Sequence, residues 1–153
     1  RARGMVRFKN RYLLAELRFH DGRVDADATT DAVVLGALRQ SHALNFGDVA
    51  AGVARGAVSV KRWDPRVSLL LLRCARDAHR EVWGALTMLR DVGGRSVAVR
   101  VVHVGGTLRS ASRAGEAWSE RWHQRMVARG EVRGDAAEKS VAAARRAFAA
   151  LHP

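Results

Sequence analysis

Val67-Ser68-Leu69-Leu70-Leu71-Leu72-Arg73-Cys74 is apolar on both faces until Arg73. A strand without a polar face belongs inside a sheet that is covered on both sides. Just upstream, Val58 and Val60 alternate with Ser59 and Lys61 as far as Trp63, and Asp64-Pro65 is a turn signal. The two runs read as a hairpin whose second strand is central.

Working outward toward the N-terminus, Arg7, Lys9 and Arg11 interleave with Val6, Phe8 and Tyr12, and Leu13, Ala15, Leu17 and Phe19 then share one face. Period two from Met5 to His20 predicts a strand with a basic entry and one buried face. Thr29, Thr30 and Asp31 are capping types ahead of Val34, Leu35, Leu38 and Phe46, a helical spacing ended by Gly47. Asp48 to Gly56 is small and ambiguous, with an extra turn of helix before the next strand as one reading. Past the hairpin, Asp77 opens a second helix with Val82, Ala85, Leu86 and Leu89 inward and Gly93-Gly94 closing it. A fourth strand runs from about Ser96 to Val104.

Strand, helix, strand, strand, helix, strand is the split βαβ order. It predicts an α+β, ferredoxin-like (βαββαβ) antiparallel sheet with two helices on one face. Two C-terminal helices follow. The first, from about Thr107 to Ala128, carries Trp118, Trp122 and Met126 on one face. The second begins after Gly134 with Asp135-Ala136-Ala137-Glu138, read as a capping box, and has Val141, Ala144, Phe148 and Leu151 on its stripe. The expected organisation is a basic extension over 1–4, a ferredoxin-like core over 5–106 and a C-terminal helical extension over 107–153.

The 153 residues suffice for one domain with a real core. They include 27 Lys+Arg against 15 Asp+Glu, a net charge of +12, with 48% hydrophobic residues. That balance excludes low-hydrophobicity disorder and points to a polyanionic partner, nucleic acid before membrane. No apolar run approaches the roughly 20 residues that span a bilayer. The start Arg1-Ala2-Arg3-Gly4 lacks a signal-peptide layout and fits the remnant of an extension or transit sequence. A lone cysteine, Cys74, rules out an intrachain disulfide and any CxxC zinc site, so a reducing compartment is the simple inference.

The fourth strand leads into Val101-Val102-His103-Val104-Gly105-Gly106-Thr107-Leu108-Arg109. Two readings stand for the glycine pair: a phosphate seat ahead of a helix N-terminus, or only a turn. Beyond it Arg109, Arg113, Arg121, Arg125, Arg129 and Arg133 recur at multiples of four, a slowly drifting stripe that could track a phosphate backbone or simply be solvated. RNA-recognition sheets of this topology stack bases on aromatics, but Arg66 to Arg73 has none. That sheet face therefore needs a cover, either the Trp118/Trp122 helix or a protein partner. RNA contact is expected at basic edges and termini.

The six histidines lack metal-ligand spacing, so no protein metal site is expected. Cys74 reads as an inert buried thiol, and His103 as a residue hydrogen-bonded into its loop or to a partner. No catalytic residue is assigned.

Met5-Val6-Arg7-Phe8-Lys9-Asn10-Arg11-Tyr12-Leu13-Leu14, Leu71-Leu72-Arg73-Cys74 and His103-Val104-Gly105-Gly106-Thr107-Leu108-Arg109, in this order, resemble the "processing of precursors" member-five protein subunits of ribonuclease P and RNase MRP. Val82-Trp83-Gly84-Ala85-Leu86 is similar to that family's second helix. The resemblance covers about residues 5–113; the Arg/Ala-rich tail and Asp48 to Arg55 depart from it.

The resemblance implies a protein that cuts nothing itself. The catalyst in that family is a large RNA, which uses magnesium ions to remove the 5′ leader of precursor tRNA, and the protein binds no cofactor of its own. Implied partners are the catalytic domain of the ribonuclease P RNA, the RNase MRP RNA, a TIM-barrel-like thirty-kilodalton subunit and the particle's other proteins. Precursor tRNA lies nearby, and no membrane is involved. The implied location is the nucleus and nucleolus, with an organelle left open. Carried over residue by residue, RNA contact falls to Arg7, Lys9, Arg11, Arg73, Gly105, Gly106, Thr107 and Arg109. Arg113 joins them from the stripe; Tyr12, Trp118 and Trp122 are assigned to packing or a partner. A ribosomal or other structural RNA-binding protein on the same fold is the rival reading. It shares the charge but gives no reason for the motifs.

Overall fold

The computed structural model describes residues 9–22 and 29–152. Arg7 and the basic start lie outside the described residues. The hydrophobic run that organises the sequence becomes β3 (Leu69–Ala75), lying between β2 (Ser59–Asp64) and β1 (Asn10–Phe19). On the far side of β1 lies β5 (Arg95–Gly105), and β5 pairs in turn with the two-residue β4 (Asp91–Val92). All pairings are antiparallel, and without β4 the order is that of a ferredoxin-like sheet.

Alternation along the strands sorts side chains to two faces. Leu13, Leu17, Leu70, Leu72 and Cys74 pack against α1 (Asp31–Phe46) and α3 (His79–Thr87) through Val34, Leu38, Val82, Ala85 and Leu86. Leu14, Leu69 and Leu71 point the other way, onto Ala111 and Trp118 of α4 (Leu108–Ala128) and Phe148 of α5 (Gly134–Ala149). Trp122 packs beside them. Each fully buried leucine of the run contributes about 1.5–3 kcal/mol relative to exposure, which explains why both faces are covered from within the chain. β1 is accordingly buried on both faces, where period two predicted one: Leu14 and Glu16 are as covered as Leu13 and Leu17.

Thr30 caps α1 by accepting the Val33 N–H, and Gly47, at φ 86°, ends it. The ambiguous stretch is a full helix, α2 (Asp48–Arg55). The second helix differs from its sequence reading. A 3-10 turn over Arg76–Ala78 precedes α3, and α3 stops at Thr87, ahead of Gly93-Gly94. Those glycines, at φ 62° and 77°, instead form the tight turn between β4 and β5. Two consecutive positive-φ residues suit a hairpin turn whose twist matches the strands. The capping box of α5 is also absent: its N-cap is Arg133, without a side-chain bond, and Asp135 lies inside the first turn. No helix among the described residues is long and apolar enough to cross a membrane.

Two tertiary ties fix the second layer. At Gly115 of α4, an added Cβ would run into the ring of Phe148, itself 1% exposed. The helices thus approach as closely as they do only because position 115 has no side chain. At the β2–β3 turn, Asp64 accepts from Arg62 at 2.8 Å and from the Arg66 side chain at 3.2 Å, and the Arg62 guanidinium lies 5.0 Å over the Phe148 ring. Burial, the largest influence on Asp64, pushes its carboxyl up; the Arg66 hydrogen bond and the charges of Arg66 and Arg62 together outweigh it and hold the carboxyl below its ordinary value of 3.8.

Gly115→Ala is expected to cost about 1–3 kcal/mol, since the enclosed Phe148 ring must shift; a thermal unfolding curve unchanged from the parent would show that α5 yields freely. A carboxyl depressed in the folded state stabilises above its unfolded value and loses that contribution as pH falls through the folded value. Asp64→Asn should therefore destabilise by about 1.5–3 kcal/mol at neutral pH, with the gap to the parent closing below about pH 4. Denaturant melts at several pH values measure this, and a gap as wide in acid as at neutrality would refute its ionic origin.

Candidate nucleic-acid interface

Sheet register brings the three sequence motifs together. Tyr12 of β1 pairs on one side with Arg73 of β3 and on the other with Gly105 of β5. Arg11 lies opposite Cys74, and the Arg76 N–H donates to the Lys9 carbonyl at 2.9 Å. Residues far apart in the chain thus form one end of the sheet, and α4 starts directly from it.

A bulge in β5 refines this end. Leu14 pairs with His103 and Ala15 with Val101, which leaves Val102 as the extra residue. His103 Nε2 lies 3.5 Å from Ser110 Oγ in the first turn of α4, the loop-bonded reading of this histidine. A Cβ on Gly105 would lie 3.1 Å from that same Nε2 and 3.4 Å from Ser110 Oγ. Glycine at 105 is therefore a packing requirement of the strand-to-helix join. Gly106 is exposed, and a Cβ there would sit 3.7 Å from the Arg11 guanidinium. Neither glycine has positive φ, so the pair does not build a left-handed anion cradle.

Thr107 is the N-cap of α4: its Oγ accepts the Ser110 N–H at 3.1 Å. The threonine thus satisfies one of the free donors at this helix start, and the amides of the first turn supply partial positive charge. Lys9, Arg76, Arg109 and Arg113 are exposed around the join, and Arg11 is half-buried. Tyr12 packs its ring on the α4 side of the sheet, as do Trp118 and Trp122. Burial pushes the Cys74 thiol up to about 11, with Arg11 opposing weakly, so the thiol stays protonated and inert.

Arg73 is the unusual member. It points to the α4 face, and its Nε is buried without an acceptor among the described residues. Buried guanidinium nitrogens are ordinarily paired, because an unmet charged donor is expensive. Among the described residues no three His, Cys, Asp or Glu side chains gather as a metal would require.

The arginine stripe is also placed. Arg109, Arg113, Arg121 and Arg125 are exposed on α4, with Arg129 at its C-cap; Arg133 falls beyond the turn at Gly130 and starts α5 instead. Sequence reasoning missed Arg76, which the 3-10 turn swings to this end, and a second basic group: Arg18 and Arg100, both held by the buried Glu16 at 3.1 and 2.9 Å, with Arg66 nearby. The signal available for the latter was Glu16 and Arg18 on one face of a strand.

The chain is 36% identical over 119 residues to the ribonuclease P/MRP protein subunit POP5 of Schizosaccharomyces pombe, covering 72% of this chain and 85% of that protein. It is 32% identical to the probable POP5 subunit of Arabidopsis thaliana, covering 69% and 74%. A chain of the cryo-EM structure of yeast ribonuclease MRP superposes with a TM-score of 0.54 at 14% identity, over 69% of this chain and 79% of that one, a likeness of fold. A family model described as Rpp14/Pop5 matches residues 11–115. That span begins at the Arg11 of the first motif, takes in the Arg73–Tyr12–Gly105 rung and runs to the Gly115 on which α5 rests, and the chain belongs to the Rpp14/Pop5 family.

Proposed function

We propose that this chain is a protein subunit of the ribonuclease P and RNase MRP particles that binds and orders their RNA and does no bond-breaking itself. The observation that carries this reading is the end of the sheet where all three family motifs meet, with Arg73, Tyr12 and Gly105 in one rung. A guanidinium offers planar, paired donors that match phosphate, and one held by a strand loses little freedom on binding. Lys9, Arg11, Arg76 and Arg109 add positive charge at the same end of the sheet, and the α4 N-terminus adds its dipole.

The physics is that of a folded polyanion. Phosphates that must converge around a catalytic centre repel one another, and protein cations at the sheet end release counterions and let the strands approach. The magnesium ions of the reaction belong to the RNA in this reading, and leader removal from precursor tRNA is the RNA's chemistry. The TIM-barrel-like thirty-kilodalton subunit is the proposed protein partner, and the nucleus and nucleolus the proposed location.

Purification from its own cells in mild salt should recover one abundant structured RNA with precursor-tRNA-cleaving activity, with a second related RNA if the MRP particle is shared. Recovery of ribosomal RNA alone, or of none, would overturn the reading in favour of a structural RNA-binding protein. Arg73→Ala separates function from folding. Removing an uncompensated buried donor should leave the melting temperature unchanged or higher while RNA affinity drops about tenfold or more, the 1.5–3 kcal/mol scale of a charged hydrogen bond. Lower stability with unaltered RNA affinity would make Arg73 a structural residue.

A further inference from the structure

We infer that the chain carries a second RNA-phosphate site, at the far end of the sheet from the motif rung, in the groove between the C-terminal half of α4, the C-terminal end of β1 and the β2–β3 turn. It rests on the RNA-binding reading above and extends it. Arg18, Arg66, Arg125 and Arg129 line this groove, with Trp122 as its wall and Glu16 in its floor. Next to it, Arg100, Arg121 and Arg125 line a shallower depression over Trp118, so Arg125 joins the two.

The helix geometry explains how arginines come to face this groove. On an α-helix each step of four advances about 400°, a net drift of about 40°. The buried stripe of α4 is Ala111, Gly115, Trp118 and Trp122. Measured from that stripe, Arg109 and Arg113 point almost directly away, whereas Arg121, Arg125 and Arg129 swing round toward the sheet edge. The same periodic pattern thus supplies an outward-facing group at one end and a groove-facing group at the other.

Charge bookkeeping within the groove favours a polyanion. Glu16 is 5% exposed and holds both Arg18 and Arg100; Asp64, equally buried, holds both Arg62 and Arg66. Each carboxylate anchors two guanidinium groups and so leaves a positive surplus. Arg121, Arg125 and Arg129 make no ion pair among the described residues. The outer seam between α4 and α5 is of another kind, floored by Ala137, Val141 and Ala142. The groove has a cavity volume of about 370 Å³, the small end of the range for ligand sites, which suits a stretch of backbone rather than a protein element.

Arg109 and Arg129 are twenty residues apart, about 30 Å along the helix. That is nearly four Debye lengths, each about 8 Å at physiological salt, so the two ends act on RNA independently. At one phosphate per about 3.4 Å on each strand of a duplex, it also separates phosphates about nine steps apart. The two sites therefore hold different segments of one folded RNA.

The test uses the full chain and the structured RNA that co-purifies with it, with binding measured as a function of salt and the RNA footprinted by hydroxyl radicals. Arg125→Ala/Arg129→Ala should weaken binding about tenfold and lower the salt slope by about two. It should also lose protection of a segment distinct from the one lost by Arg109→Ala/Arg113→Ala. Neither pair makes an ion pair among the described residues, and unchanged thermal melting checks that the fold is intact. An unchanged slope and footprint for the first variant, with the second still affected, would overturn the second site and leave the first standing. Loss of the same segment by both would reduce the two sites to one. If neither variant changed the slope, the phosphate reading of the sheet end would fall as well. Loss of a co-purifying protein with the RNA slope intact would make the groove a protein seat and equally refute the proposal.

Discussion

Leu69 to Leu72 place apolar side chains alternately on both faces of β3, and that single constraint makes the molecule three layers deep. A ferredoxin-like sheet with helices on one face would leave Leu14, Leu69 and Leu71 in water. The chain covers them itself, with α4 laid against the sheet and α5 locked to α4 where Gly115 admits Phe148. The face on which other proteins of this topology stack bases is closed. In the proposed function, RNA is left with the ends of the sheet and the outer surface of α4, and exposed arginines are found there.

Register links this fold to its proposed work. A strand slipped by one residue would turn every buried leucine outward, so the pairing of Tyr12 with Arg73 and Gly105 is held by the same burial that holds the sheet. The cations at the motif end inherit their positions from the core. The cost of leaving Arg73 Nε without an acceptor among the described residues is carried by a strand whose leucines and Cys74 are among the best-buried residues described.

The sequence was legible wherever one periodicity ruled. The central strand, a cap among Thr29, Thr30 and Asp31, the inward face of α3 and the need for a cover over the second sheet face all follow from local pattern. The three motifs named the family before any geometry was known. What local pattern missed depended on partners distant in the chain. Gly93-Gly94 ends nothing, because a two-residue strand at Asp91–Val92 finds β5 and converts a helix stop into a hairpin turn. The second buried face of β1 could not be read from β1 alone, since Glu16 looks like a solvent-facing acid until Arg18 and Arg100 close over it. The glycine pair had two readings, and packing decides for Gly105: its missing side chain makes room for His103 and Ser110.

The arginine stripe shows how much a small mismatch in period can do. A repeat of four on a helix of 3.6 residues per turn does not stay on one face. Over the length of α4 its drift carries the row from the side opposite the sheet round to the sheet's edge. Had the arginines followed the 3-4 spacing of the buried stripe, all would share a face, and the helix would offer one ridge of charge to one stretch of backbone. Because they drift, one helix that the core requires in any case offers charge in two directions at ends about 30 Å apart. A rigid helix fixed at both ends to a single sheet keeps those directions constant. That is the property needed to hold two parts of a folded RNA in a set relation.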